Sequence, residues 1–339
     1  MHPKSCPSGL WGAWNGNRRP ADLVPITMLL FIAVLAGAVT SPHPELGIIR
    51  WQRGFDVAKA DAAREGKPLL VLFDEVPGCA TVRGYGSRVL SHPLIRDAIE
   101  GHFVNVVVYN NTSGDDRRVL NHFNEPSWNN PAMRIMDAEE RLLAPRLYGD
   151  YSVQATAKTL VMALQSASRP VPDYLKLLAL DARTEVVTYS MYCFWSGESA
   201  LGGVSGVVET EAGFASGEVV RVRYDPAETD VEELDRAAAR AQARRVSSER
   251  FRASPKDTKY QIRHSLLRFV PMTESQASRI NAALTRRDDP LRYLSPSQRR
   301  IYRAVQLSGG AGWSVALGRD FASSYRAADK KARTVLANR

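Results

Sequence analysis

Two short apolar runs rich in branched side chains constrain this chain more than any other feature of its sequence. They read LLVLF at residues 69–73 and FVNVVVY at residues 103–109. Runs of this length and composition are typical of buried strands, and residues 93–100 between them have the pattern of a helix. A further strand is predicted to follow Pro131, where another apolar stretch begins. The sequence therefore predicts an α/β layer over residues 46–170.

The length of the chain requires more than this layer. At 339 residues it exceeds one typical domain of about 100–200 residues. Hydrophobic residues make up 44% and charged residues 24% of the chain, which excludes a disordered protein and a polytopic membrane protein. A further strand is predicted at the alternating pattern EVVTYSMY from residue 185, and a helical extension over residues 276–339.

The positive charge of the chain is concentrated near its C-terminus. Residues 236–339 contain 23 Lys and Arg against 7 Asp and Glu, although the whole chain carries only +9. The arginines recur at helix-like intervals among Ala and Ser, a pattern that favours a solvated helix surface and leaves contact with anionic lipid open. Nucleic acid is not an expected partner, because no aromatic cluster accompanies the charge.

The N-terminal segment has the order of a signal peptide. An uncharged apolar run at residues 23–40 follows Arg18 and Arg19 and ends near the small residues at 36–38. Its length also reaches the lower limit of a membrane span, so residues 1–38 are predicted to be either a signal peptide cleaved after Ala38 or an N-terminal anchor. Both alternatives predict an exported protein of the periplasm or cell envelope.

The chain contains three cysteines, too few for a disulfide-dense scaffold or a four-cysteine zinc site. Cleavage of the signal peptide would remove Cys6 and leave Cys79 and Cys193, which permit one pair. The sequence has no glycine-rich phosphate loop and no His or Cys spacing typical of a metal site. Neither a cofactor nor a metal is therefore expected.

The loop VPGCATV at residues 76–82 resembles the Val-Pro-Gly-(Sec or Cys)-x-x-Thr loop of a family of thioredoxin-like selenoproteins and their cysteine variants. The resemblance implies a thioredoxin fold over residues 46–170, with Pro131 as a cis-proline facing the thiol. A thiol at a helix start meets backbone N–H groups that favour the thiolate, so Cys79 is a candidate nucleophile; a small buried side chain is the alternative. Because Val82 replaces the second thiol of a thioredoxin, another thiol must resolve Cys79.

A second motif, CFWSGESALGGVSGVVETEAGF from residue 193, resembles the active-site segment of A-type peptide-methionine sulfoxide reductases. The resemblance continues through the strand that contains Glu218 and through Thr-Lys-Tyr, which ends at Tyr260. It implies a second domain, of the α+β class, over residues 183–275. It implies that Cys193 attacks the sulfoxide sulfur while Glu218 supplies a proton and Tyr260 binds the oxygen. Phe194 and Trp195 would hold the S-methyl group of the substrate.

The residues around this motif leave alternatives open. Phe194 and Trp195 can be ordinary core, and the carboxylate of Glu218 can lie exposed at a sheet edge. Tyr192 stands where that family has glycine, so it would either crowd the pocket or add a hydroxyl, and Phe214 lacks the hydroxyl of the family's tyrosine. The loop at residues 215–217 is shortened. Glu198 is expected on the surface of the helix that follows Cys193.

Together these features predict an exported thiol oxidoreductase with a thioredoxin-like domain followed by a shortened methionine sulfoxide reductase-like domain. Its substrate would be methionine-S-sulfoxide in oxidised proteins or peptides, reduced by Cys193. Cys79 would resolve Cys193, and an external thiol reductant such as a thioredoxin-like protein would regenerate both. One rival is thiol-disulfide exchange at Cys79 with the second domain as docking surface. Another is an envelope binding module that has lost turnover.

Overall fold

The computed structural model describes residues 43–180 and 183–338. By its internal contacts the chain divides into residues 1–37 and residues 38–339, and the described residues belong to the second unit. The predicted signal peptide or anchor and Cys6 lie outside the described residues. Within the described part of the chain, no helix is both long and apolar enough to cross a membrane.

The first sheet forms from the apolar runs that dominate the sequence. Its central strand, β1 (Leu69–Asp74), is buried along its whole length because helices cover both faces of the sheet. Strand β2 (Val104–Tyr109) is parallel to β1, and β3 (Ala132–Met136) is antiparallel to it. The order is therefore β2-β1-β3, and the parallel pair occupies the two runs predicted as buried strands.

The elements around the first sheet are a 3-10 turn (Pro44–Leu46), α1 (Phe55–Glu65), α2 (Ala80–Tyr85) continued by a π-helical turn (Gly86–Leu90), α3 (Pro93–His102), α4 (Asp115–His122), α5 (Val153–Ser166) and α6 (Asp173–Leu178). Helices α1 and α4 share a core with one face of the sheet. Helices α3, α5 and α6 share a larger core with the other face. The described residues 43–180 are thus a layered α/β structure, as predicted.

The second sheet and its helices consist of β4 (Glu185–Ser190), α7 (Phe194–Leu201), β5 (Val207–Phe214), β6 (Glu218–Tyr224), α8 (Val231–Arg240), β7 (Arg244–Val246) and β8 (Arg252–Ala253). Neighbouring strands are antiparallel in the order β7-β4-β6-β5-β8. Helices α7 and α8 contribute Leu201 and Leu234 to the core of this sheet. The strand pattern predicted from residue 185 corresponds to β4, which places Val187 and Tyr189 in this core.

Two helices follow the second sheet, α9 (Tyr260–Arg263) and α10 (Glu274–Arg286). Helix α10 packs on α7 and β5, and the hydroxyl of its Ser278 accepts the backbone N–H of Thr210 at 3.1 Å. The predicted boundary between residues 275 and 276 falls inside this helix. Helix α10 also contributes Ala277 and Ile280 to the core of the C-terminal elements, so it packs on both the second sheet and the C-terminal extension.

The remaining elements are 3-10 turns at Leu266–Phe269 and Pro290–Tyr293, then α11 (Pro296–Leu307) and α12 (Phe321–Ala337). They share a core that includes Ile301 and Tyr325. Helices α10 and α11 begin at capping boxes on Thr273 and Ser295, a local sequence signal for the start of a helix.

The C-terminal helices also dock on the first layer. The carboxylate of Asp97 on α3 accepts the Ser295 hydroxyl at 2.6 Å and the Ser297 backbone N–H at 2.9 Å. The ring of Phe321 at the start of α12 stacks on His92, with 5.1 Å between ring centroids. The basic tail is therefore packed against α3 and is not only a solvated helix surface.

Candidate active site at Cys193 and the Cys79 loop

Cys193 lies between the end of β4 and the start of α7. Cys193 is the N-cap residue of α7, with extended backbone at φ −139° and ψ 115°. It is half-buried and its thiol is free. The first turn of a helix presents backbone N–H groups without helical partners, so the thiol lies beside the positive end of α7.

Glu218 meets the same helix end from a different segment. It is the first residue of β6 and follows a tight hairpin in which Phe214 pairs with Glu218. Its Oε2 accepts the backbone N–H of Phe194 at 2.8 Å, while its carbonyl oxygen accepts the N–H of Met191 at 3.1 Å. The Glu218 carboxylate therefore caps α7 next to Cys193, and it is not a free carboxylate at a sheet edge.

Aromatic rings from three segments surround this end of α7. Phe194 is buried and makes edge contacts with Trp195 at 5.8 Å and with Phe214 at 5.5 Å between centroids. Trp195 stacks on Tyr260 at 4.1 Å, and Tyr260 contacts His264 on its own helix segment at 4.0 Å. The structure thus brings together Cys193 and five residues predicted for the site: Phe194, Trp195, Phe214, Glu218 and Tyr260.

Tyr192 behaves differently from the other residues predicted to contact substrate. Its side chain is 98% exposed, so it neither crowds the half-buried Cys193 nor belongs to the ring cluster. The physical reason is local: residue 192 lies between the end of β4 and the start of α7, where the chain turns at the surface. Of the two alternatives for this residue, the one in which it crowds the pocket is therefore wrong.

Glu198 also departs from the prediction, which placed it on the helix surface. It is fully buried and pairs with the equally buried Lys259, whose Nζ lies 3.4 Å from Oε1 of Glu198. The α7 face that carries Glu198 packs toward β5 and α10, and the ammonium group compensates the buried charge. Lys259 was not singled out by sequence reasoning, although it directly precedes Tyr260. His264, four residues after Tyr260, was likewise not predicted as part of the site.

The Cys79 loop, residues 76–79, follows the carboxyl end of β1. Cys79 is exposed, its thiol is free, and it is the N-cap residue of α2. A Cβ at Gly78 would collide with the Glu75 carbonyl and the Val82 side chain, so the glycine is sterically required. Val82 is fully buried at the position where a second thiol would stand.

Two buried carboxyl groups lie under this loop. Oε1 of Glu45 accepts the Gly78 N–H at 3.0 Å, and Oδ1 of Asp74 accepts the Glu75 N–H at 3.1 Å. The second oxygen of each group has no hydrogen-bond partner among the described residues. Burial raises the pKa of Asp74 to about 8, and the charges of Glu45 and Cys79 add to the rise. Sequence reasoning missed both acids, because neither belongs to the cysteine motif.

Pro131 directly precedes β3, the strand next to β1. The peptide bond before Pro131 is cis, as the resemblance to thioredoxin-like proteins implies. Since Ala132 pairs with Phe73, the register places Pro131 beside Asp74 at the carboxyl end of β1. The predicted proline therefore lies at the end of the sheet from which the Cys79 loop leaves.

Cys193 and the contact with the first layer lie at opposite ends of the second sheet. A cavity of about 320 Å³ is lined by Gln154 and Leu177 of the first layer and by Val208 and Arg223 of the second sheet. Arg223 lies five residues beyond Glu218 on β6, which is about 17 Å at the rise of a strand. Cys193 is therefore at the end of the sheet away from this contact with the first layer.

Three reactive groups lie beside the aromatic rings at the start of α7: the thiol of Cys193, the carboxylate of Glu218 and the phenol of Tyr260. In the described residues, no three His, Cys, Asp or Glu side chains form a group that could hold a metal ion. These groups suit a nucleophilic attack by sulfur accompanied by proton transfer to an oxygen.

Comparison with known proteins gives little beyond this geometry. No protein-family model matches the sequence, and no curated protein matches it. Among solved structures, a chain described as "DsbH Oxidoreductase" is similar at 16% identity and a TM-score of 0.31. The similarity covers 37% of this chain and 91% of that chain. A likeness of this size carries no argument about function, which has to be inferred from the chain's own residues.

Proposed function

We propose that this protein is a thiol oxidoreductase that reduces methionine-S-sulfoxide at Cys193. The observation that carries the proposal is the convergence of Cys193, Glu218 and Tyr260 at one end of α7 and its ring cluster. These residues come from the start of α7, from β6 and from α9, and the sulfoxide reductase resemblance implies the same combination of groups. A half-buried thiol beside an apolar wall suits a small methyl sulfoxide group better than a large disulfide.

The reaction at this site balances with the groups present. The sulfur of Cys193 attacks the sulfoxide sulfur, and the sulfoxide oxygen is transferred to Cys193, which leaves methionine and a cysteine sulfenic acid. Glu218 would donate a proton to the oxygen during the transfer, and the Tyr260 hydroxyl would hydrogen-bond to it. Phe194 and Trp195 would hold the methyl group. A second thiol then condenses with the sulfenic acid, forming a disulfide and releasing water.

The test is reduction of stereodefined peptide methionine sulfoxides by the purified chain with excess dithiol. We expect turnover of the S epimer and none of the R epimer. Glu218→Gln should slow turnover by about 10²–10⁴-fold, the usual contribution of a positioned acid. Glu211→Gln, which removes a carboxylate bonded to Arg221 on the neighbouring strand, is the matched control and should leave the rate unchanged. Equal rates for both epimers, or no turnover, would defeat the proposal.

Thiol-disulfide exchange at Cys79 is the second candidate function. It is favoured by the exposure of Cys79 at the start of α2, where a protein disulfide can reach the sulfur. Cys79 would attack one sulfur of the disulfide, form a mixed disulfide and release the other sulfur as a thiolate. Because Val82 occupies the position of a resolving thiol, an external thiol would have to complete the exchange.

The two functions can be joined if Cys79 resolves the Cys193 sulfenic acid. A disulfide requires the two Cα atoms to come within about 7 Å. Since Cys193 lies at the end of the second sheet away from the contact with the first layer, the bond would need movement of the layers or a second copy of the chain. We propose that the bond forms after one turnover.

Non-reducing peptide mapping after one equivalent of sulfoxide tests this relay. A Cys79–Cys193 peptide is expected. Mixing the Cys79→Ser and Cys193→Ser variants distinguishes the two routes, because only exchange between copies can give a covalent dimer from that mixture. The relay is excluded if Cys193 stays a sulfenic acid while Cys79 remains alkylatable.

Export is proposed from residues 1–38 alone. Protein recovered from a bacterial envelope should begin near Val39, or else keep its N-terminus and sediment with membranes. N-terminal sequencing of each fraction measures this directly. Unprocessed protein found entirely in the cytosol would contradict both versions.

A further inference from the structure

A buried ion pair lies next to the ring cluster and takes no part in the proposed chemistry. Glu198 is 0% exposed and Lys259 is 2% exposed, which is unusual for either residue type. Lys259 directly precedes Tyr260 in the chain. The pair therefore joins α7, which carries Cys193 at its N-cap, to the segment that carries the phenol.

The Glu198 carboxylate is held by three donors. It accepts the backbone N–H of Lys259 at 2.7 Å, the Nζ of Lys259 at 3.4 Å and the hydroxyl of Thr210 at 3.3 Å. The ammonium group also donates to the Thr210 hydroxyl at 3.0 Å and to the Thr210 carbonyl oxygen. Burial raises the pKa of the Glu198 carboxyl, and the charge of Lys259 opposes this rise. These contacts tie α7, β5 and the start of α9 together.

Helix α7 contacts the segment that carries Tyr260 through two of its side chains. Trp195 and Glu198 are three residues apart and therefore lie on the same face of the helix. Trp195 stacks on the Tyr260 ring at 4.1 Å, while Glu198 binds the backbone N–H one residue earlier. One rigid element thus sets both the plane of the phenol ring and the position of the backbone from which it extends.

Tyr260 needs such an anchor because its own helix is very short. Helix α9 has four residues, and isolated turns of this length are not stable by themselves. Its N-cap residue, Lys259, has φ 58° in the left-handed region, which a side-chain-bearing residue adopts only when neighbouring contacts hold it. The hydrogen bond from the Lys259 N–H to Glu198 is such a contact.

We infer that Glu198 and Lys259 are positioning residues that fix the hydroxyl-bearing ring of Tyr260 against Trp195 at the Cys193 site. This inference rests on the proposed sulfoxide reduction, in which Tyr260 binds the substrate oxygen. The effect of the pair on turnover is therefore exerted through Tyr260, and it disappears when the Tyr260 hydroxyl is absent.

A double-mutant cycle on S-sulfoxide reduction tests this dependence. Glu198→Gln alone should lower kcat by about 10–100-fold with a small change in KM, the usual cost of a misplaced group. In a Tyr260→Phe background the same substitution should change kcat by less than about twofold. The control Glu211→Gln should be neutral in both backgrounds. Equal losses from Glu198→Gln in both backgrounds would show a merely structural role and overturn the inference.

A second measurement does not depend on activity. The indole N–H of Trp195 is buried without a hydrogen-bond partner among the described residues, so its NMR resonance senses the adjacent Tyr260 ring. The resonance is assigned by its loss in Trp195→Phe. It should shift in the same direction in Glu198→Gln and Tyr260→Ala, and stay in place in Glu211→Gln. A stationary resonance in Glu198→Gln would overturn the inference even if the activity falls.

The two readouts separate this inference from the proposed function. If the chain reduces no sulfoxide, the proposed function fails, and the indole shift alone decides whether Glu198 holds Tyr260 in place. Breaking one partner of a buried ion pair can prevent folding. Thr210→Val is then the milder variant, because it removes only the hydroxyl that bonds to Glu198 and Lys259. Thr210→Val should shift the Trp195 indole resonance in the same direction as Glu198→Gln but by less. An unshifted resonance would count against the inference.

Discussion

The surroundings of Cys193 and Cys79 differ in a way that separates their chemistry. Cys193 is half-buried at the start of α7, beside a carboxylate and a wall of rings. Cys79 is exposed at the start of α2, and its nearest acids lie buried beneath the loop. Both thiols occupy a helix N-terminus, so that feature alone cannot assign a reaction. The groups around each thiol decide which substrates it can reach.

The largest expected effect comes from exchanging each thiol for a hydroxyl. Cys193→Ser should abolish reduction of the S-sulfoxide, because no other described thiol lies within the ring cluster. Cys79→Ser should leave a single turnover unchanged, since it removes no group near Cys193. Rapid-quench measurement of methionine formed per chain checks both. If Cys79→Ser abolished the first turnover, Cys79 would be needed for sulfoxide reduction itself and not only for resolving Cys193.

A second prediction concerns the acid beneath Cys79. The pKa of Asp74 is 3.8 when unperturbed and about 8 in the fold, so the folded protein keeps a proton that the unfolded chain releases. The contribution of this group to the free energy of unfolding is therefore greatest below pH 4 and is lost as the pH rises from about 4 to about 8. Asp74→Asn cannot ionise and should escape this loss.

Urea unfolding of both proteins at pH 5 and pH 9 measures the effect. The stability of Asp74→Asn relative to the unsubstituted chain should improve by a few kcal/mol between the two conditions, since one pKa unit corresponds to about 1.4 kcal/mol. Asp61→Asn, which changes an acid on α1 paired with Arg64 at the surface, is the control. A constant difference between the two pH values would mean that Asp74 does not titrate in this range.

The smallest expected effect is an increase in kcat for sulfoxide reduction at the Cys193 site. Phe214 is 38% exposed and lies 5.5 Å from Phe194, so a hydroxyl on its ring has room at the edge of the cluster. Phe214→Tyr should raise kcat for the S-sulfoxide by up to about tenfold, because it adds a donor for the substrate oxygen. Steady-state kinetics with peptide substrate measure it. An unchanged rate would indicate that residue 214 does not face the oxygen.

The comparison also shows what sequence reasoning can reach. The strands β1 and β2 were predictable because their branched side chains are apolar on both faces, and the starts of α10 and α11 because capping residues are local signals. The ring cluster was predictable only through the family resemblance, since Tyr260 lies 67 residues beyond Cys193. Local sequence patterns predict structure over a few neighbouring residues only. The grouping of distant site residues was predicted from the family resemblance.

Other features depend on contacts that no local pattern contains. Glu198 looked like a surface residue, since nothing near it in the sequence indicates the ammonium of Lys259, 61 residues later. The burial of Asp74 and Glu45 likewise depends on how the N-terminal 3-10 turn packs beneath the Cys79 loop. The exposure of Tyr192 was not predictable, because a substitution next to a motif does not reveal which way the side chain points. A charge pair or an orientation becomes visible only when distant segments are placed together.

The carboxylate of Asp97 has a consequence for the order in which the chain matures. Asp97 completes the start of α11 by binding Ser295 and Ser297, which lie about 200 residues later. The chain is made from its N-terminus, so the residues of the first layer exist before those serines do. A tail produced alone would therefore begin α11 without that acceptor. Proteolysis near Ser295 thus reports on whether the first layer has folded.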